Sequence, residues 1–129
     1  MPSSVELRSD GRILVIINEG EVFVTEAARS TEQALEIMSD GVMRGVLIDS
    51  RKAEVISTES RLQQAAEDFR TAVGDGLPTV YMPPKAMPEE RVDWMNAVAA
   101  EFEQVFAIIE DEAEAEAWLL ARLDAMAKD

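Results

Sequence analysis

Asp49, Ser50, Arg51 and Lys52 stand in a row behind the apolar run Gly45 to Ile48, and the hydroxyls of Ser57, Thr58 and Ser60 follow shortly after. A carboxylate, several hydroxyls and two cations in one stretch allow three kinds of chemistry. Asp49 could act as a general base. Arg51 and Lys52, joined by Lys85 from a later loop, could hold an anion. A hydroxyl at a helix start could accept a phosphoryl group, since phosphate there meets free amides and the positive end of the helix dipole.

What the chain lacks narrows these options. It contains no Cys and no His, which removes thiolate zinc sites, cysteine nucleophiles and the commonest general base. Spacing places no second carboxylate, nucleophile or ligand set beside Asp49. We therefore expect no enzyme, no catalytic residue and no cofactor. Glu32, Glu36 and Asp40 recur at helical intervals, but a hard cation needs more oxygen ligands in a tight loop. They read as a solvated face, and no metal is expected.

The 26 acidic and 12 basic side chains give a formal charge of −14. Such a field repels phosphate backbones and anionic lipid, which argues against nucleic acid. No apolar run approaches the roughly 20 residues of a membrane span, and Met1 to Asp10 lacks the regions of a signal peptide. The expected location is the cytoplasm, without membrane insertion. Against this acidic background Arg51, Lys52, Lys85 and Arg91 would form a local positive cluster, unless carboxylates such as Glu54 or Glu89 pair with them.

Elements that position these groups can be read from periodicity. Val5 and Leu7, then Ile13 to Ile17 across Asp10-Gly11, suggest a β-hairpin. Val22 to Val24 extends the sheet or forms a short strand of its own. A helix is expected from Ser30 or Thr31 to Asp40-Gly41, with Ala34, Leu35 and Met38 on one face. Gly45 to Ile48 reads as a buried strand ending at Asp49, with a loop through Lys52 and Val55. Thr58 to Val73 places Leu62, Ala65, Ala66, Phe69 and Val73 on one helical stripe. Thr79 to Met82 is a strand closed by Pro83-Pro84, and Pro88 to Phe102 a helix lined by Val92, Met95, Val98, Ala99 and Phe102. Val105 to Ile109 is the last strand. Asp111 and Glu114 start the final helix as a capping box. Trp94 and Trp118 fall within amphipathic helices and read as packing anchors.

This order predicts an α/β domain spanning residues 1–129, with a four- to five-stranded mixed sheet, an N-terminal hairpin plus parallel strands, and about four helices. Two passages, VLIDSRKAEVISTESRLQQAAEDFR and FAIIEDEAEAEAWL, make the chain resemble the STAS superfamily and its SpoIIAA-like branch of small bacterial proteins. In anti-sigma factor antagonists of that superfamily an Asp-Ser-Ser-Gly motif opens a helix, and its first serine is phosphorylated. With Asp49 at the strand end, Ser57, Thr58, Glu59 and Ser60 take the place of that motif, so Thr58 matches the regulated hydroxyl. The Asp, second Ser and Gly are replaced. The alternative is that Ser57 or Thr58 simply caps the helix.

The resemblance implies a non-catalytic regulatory module that binds a protein partner and forms a homodimer. The alternative is a carrier or sensor of a small lipid or anion. It would use the carboxyl ends of the strands, with Asp49, Ser50, Arg51, Lys52 and Lys85 as binding residues and a cleft near Phe69, Tyr81 and the Pro83 to Pro88 loop.

Overall fold

Ile13, Leu14, Val15 and Ile16 are all buried, and a strand with no wet side needs cover on both faces. The computed structural model describes residues 3–22, 24–55, 61, 63, 64, 67, 68, 76–85, 87–103 and 105–127. Within it that strand, β2 (Ile13–Val22), lies between β1 (Ser3–Arg8) and β3 (Gly45–Val55), with β4 (Thr79–Met82) and β5 (Phe106–Ile108) beyond. The five strands follow chain order across one sheet. Only β1 and β2 pair antiparallel; β2–β3, β3–β4 and β4–β5 are parallel.

The antiparallel pair is closed by Ser9, Asp10 and Gly11, which all have positive φ. Gly11 takes that conformation without a Cβ penalty, and Asp tolerates it better than most residues. Each parallel pair needs a crossover. Helix α1 (Val24–Met38) joins β2 to β3, and α2 (Glu89–Glu101) joins β4 to β5, while α3 (Glu112–Ala127) follows β5. Between β3 and β4, residues 61, 63, 64, 67 and 68 are helical, and Gln64 donates to Asp68 one turn on. The expected stripe of Leu62, Ala65, Ala66, Phe69 and Val73 lies outside the described residues.

Strand alternation divides the core in two. Ile13, Val15, Leu47, Val80 and Met82 pack against Ala115 and Leu119 of α3. Leu14, Ile16 and Val46 point the other way, against Ala34 of α1. The start of α3 follows the expected chemistry, since the Glu114 amide donates to Asp111 Oδ2 at 2.8 Å. Trp118 is half-buried against the α3-side core and carries Arg122 over its ring.

Two boundaries and one helix face differ from expectation. The predicted loop through Lys52 and Val55 is strand, because β2 also runs on and pairs Glu19 with Lys52 through to Val22 with Val55. That extension is polar and charged, so no apolar run announces it. Helix α1 starts at Val24, not Ser30, because Ser30 is a buried residue inside the helix whose hydroxyl meets Ser3 rather than capping. In α2, Met95 is buried, but Val92 faces outward and is 37% exposed. Among the described residues three helices have defined extents.

Gly45 opens β3 beneath Leu119, where an added Cβ would lie 3.0 Å from Leu119 Cδ2 and 3.2 Å from its Cβ. Gly45→Ala is therefore expected to lower the unfolding free energy by about 1–3 kcal/mol through overpacking, measured by urea denaturation. An unchanged midpoint would show that α3 can move away at no cost.

Candidate functional site

At the carboxyl ends of β2 and β3, alternation sends successive residues to opposite faces of the sheet. Asp49 and Arg51 take the α3 face, and Ser50 the α1 face. On the α3 side Arg51 grips Asp49 in a fork, with Nε 3.0 Å from Oδ1 and Nη2 2.9 Å from Oδ2. The Arg51 amide adds a third bond to Oδ1 at 3.1 Å. Arg51 Nη2 also reaches Glu112 Oε2 at 3.3 Å. Glu112 Oε1 in turn pairs with Arg8, which contacts Glu6 as well. This cluster ties the first turn of α3 to β1 and β3, where a carboxylate also complements the helix dipole.

Burial alone would push the Asp49 carboxyl up. The Arg51 guanidinium and amide, with the charge of Arg8, outweigh that and hold it below the usual carboxylate range. Asp49 and Glu112 likewise push the Arg51 guanidinium up. A carboxylate with both oxygens occupied and a depressed pKa is a poor proton acceptor near neutral pH.

The α1 side carries a buried polar chain. Ser3 donates to Asn18 Oδ1 at 2.8 Å and also contacts the Ser30 hydroxyl. Asn18 Nδ2 donates to Ser50 Oγ at 3.0 Å, and Ser50 lies beside the Tyr81 phenol. Ser3, Asn18, Ser30 and Ser50 are all buried, so each bond offsets a desolvation cost of about 1–3 kcal/mol. Burial pushes the Tyr81 phenol up, with Ser50 and the charge of Arg91 opposing.

Tyr81 also lines a cleft of about 300 Å³ between the end of β4, α2 and β5, together with Pro84, Lys85, Met95, Asn96 and Glu110. The predicted binding residues are thus divided. Asp49 and Arg51 are joined to each other on one face, and Ser50 sits behind Tyr81 on the other. Lys52 is exposed on the β2–β3 extension, while Lys85 stands exposed at the cleft. Ser57, Thr58, Ser60 and Phe69 lie outside the described residues. No cluster of three metal-ligating side chains occurs among the described residues.

Sequence reasoning missed Asn18, Ser3 and Ser30, and it missed Arg8 and Glu112. Asn18 left a signal, as a polar residue ending an apolar run whose neighbours are all in the core. The Arg8–Glu112 pair left none, since 104 positions separate its members.

No family model matches the chain, and no curated protein matches it. Solved structures do. An uncharacterised protein from Shewanella loihica with a SpoIIAA-like fold superposes with a TM-score of 0.58 at 17% identity, over 91% of each chain. The anti-sigma factor antagonist SpoIIAA in its unphosphorylated form gives a TM-score of 0.57 at 15% identity, over 93% of this chain and 97% of that one. The fold is SpoIIAA-like. Bacillus SpoIIAA in its phosphorylated form matches at a TM-score of 0.51 and 11% identity, over 88% of this chain and 95% of its own. Likeness at these identities fixes the architecture, and the mixed sheet of an N-terminal hairpin plus parallel strands is the one expected from the sequence.

The depressed Asp49 carboxyl makes a signed prediction. A carboxylate held below its unfolded value, near 4, adds stability above that pH and loses it as pH falls through the native value. Asp49→Asn should flatten this part of the stability curve below about pH 4 and cost stability near neutral pH. Urea midpoints across that range would check it, and parallel curves for the two proteins would mean that the ion cluster is energetically silent.

Proposed function

We propose that this chain is a non-catalytic regulatory module that acts by docking onto another protein. The observation that carries the reading is the internal use of its reactive groups: Asp49, Arg51 and Glu112 satisfy one another and hold α3 in place. The SpoIIAA-like fold supports it, because a solved structure of that fold is an anti-sigma factor antagonist, a role defined by another protein. Small size and a charge of −14 suit a soluble cytoplasmic factor that pairs with a basic surface. Self-association as a homodimer belongs to the same reading.

In the same proposal Ser57, Thr58 and Ser60 are the hydroxyls of the docking surface. Phosphate on Thr58 would add nearly two negative charges beside Glu59, opposing a partner that tolerates the neutral hydroxyl. The test is an affinity capture from host extract with wild type, Thr58→Ala and Thr58→Asp, alongside phosphate incorporation. The expected outcome is one protein retained by wild type and Thr58→Ala, lost with Thr58→Asp, and label that Thr58→Ala abolishes. Unchanged capture and labelling in both variants would end the phosphorylation reading, and no retained protein would end the docking reading. Light scattering should give twice the chain mass for the homodimer.

A further inference from the structure

β2 and β3 outrun their neighbours. β1 begins at Ser3, which pairs with Asn18, and β4 ends at Met82, which pairs with Asp49. Beyond those points β2 and β3 continue as a two-stranded parallel ribbon, from Glu19 with Lys52 to Val22 with Val55. β4 cannot follow, because Pro83 and Pro84 come next and neither has an amide hydrogen to donate. Two strands alone are marginal in water, and among the described residues no third strand pairs with the ribbon. Its two edges are not alike. On β2, Gly20 has a φ of 69°, which breaks the even row of groups that a further strand needs. On β3, Lys52 to Val55 pair in unbroken register, so the side that faced β4 presents a short row of unpaired N–H and C=O groups.

Alternation gives the ribbon two faces. Glu19, Glu21, Lys52 and Glu54 share one and are exposed, while Gly20 and Ala53 lie on the other. Lys52 stands opposite Glu19, but Glu21 stands directly opposite Glu54, and like charges so placed destabilise a pair. A cation arriving beside Glu54 would relieve that repulsion. We propose that the outer edge of β3, from Lys52 to Val55, takes up an extended basic segment of another protein as an added strand. Its main chain pairs with β3, and its alternate Lys or Arg side chains meet Glu54, with Glu21 behind it. A second copy of this chain, at a charge of −14, would add to the repulsion instead. The inference rests on the docking reading and names the chemistry of the partner.

The test is an NMR titration of the isotope-labelled full chain with three peptides: alternating lysine and valine, alternating glutamate and valine, and the lysine peptide with its backbone amides methylated. Saturable shifts confined to the ribbon are expected with the first, together with slower hydrogen exchange of the amides between Lys52 and Val55. The glutamate peptide should not bind. Methylation, which leaves the charge and removes the main-chain donors, should weaken binding roughly 10-fold or more. Glu54→Gln should weaken it by roughly 2- to 5-fold, the worth of an exposed ion pair, with the rest of the spectrum native. Equal binding of the methylated peptide, shifts scattered over other acidic surfaces, or no saturable shift would overturn the assignment. So would ribbon shifts on concentrating the chain alone, which would make a second copy the occupant. Each of these outcomes leaves the docking reading to the capture experiment on Thr58, so the two can fail separately.

Discussion

The parallel pairing of β2 with β3 is the constraint from which the remaining structure follows. Ile13 to Ile17 and Gly45 to Asp49 run side by side with apolar residues on both surfaces. Parallel neighbours need a crossover, and α1 supplies it while covering one face. The other face is left to α3, which reaches it only because Gly45 has no side chain beneath Leu119. Two layers of helix around one sheet are the consequence of those few residues.

That alternation, carried past the core, also separates the functional candidates. Asp49 and Arg51 fall on the α3 face and become a brace for the start of that helix. Ser50, one residue away from each, falls on the α1 face and becomes the last link of the buried chain that runs from Ser3 through Asn18. A loop carrying Asp49, Ser50, Arg51 and Lys52, as the sequence suggests, would have gathered them into one site. A continuous strand cannot, because its period of two sends neighbours apart.

The sequence made the architecture legible where burial wrote it. Ile13 to Ile17, Val46 to Ile48 and Thr79 to Met82 are short apolar runs, and each lies within a strand. The Asp111 cap was equally visible, since its chemistry is local. Lys52 to Val55 was not, because a strand exposed on a polar ribbon carries no apolar signal. Arg8 with Glu112, and Ser3 with Ser30, were hidden for another reason: their partners are chosen by the fold, and neither member is unusual where it stands in the chain. Ser30 shows the cost of local reasoning. Its hydroxyl looked like a helix cap, and tertiary packing uses it inside the helix instead.

The outer strands of the sheet set the way copies of this molecule can meet. β5 is three residues long, and β1 alternates Val5 and Leu7 with Ser4, Glu6 and Arg8, so its edge carries two charges. Short or charged edges resist adding a further strand, the route by which sheets grow into aggregates. Repulsion between molecules of charge −14 works in the same direction. Both edges of the open sheet are thereby made poor templates for a further strand, which favours helix and loop surfaces over strand edges as the places where copies can meet.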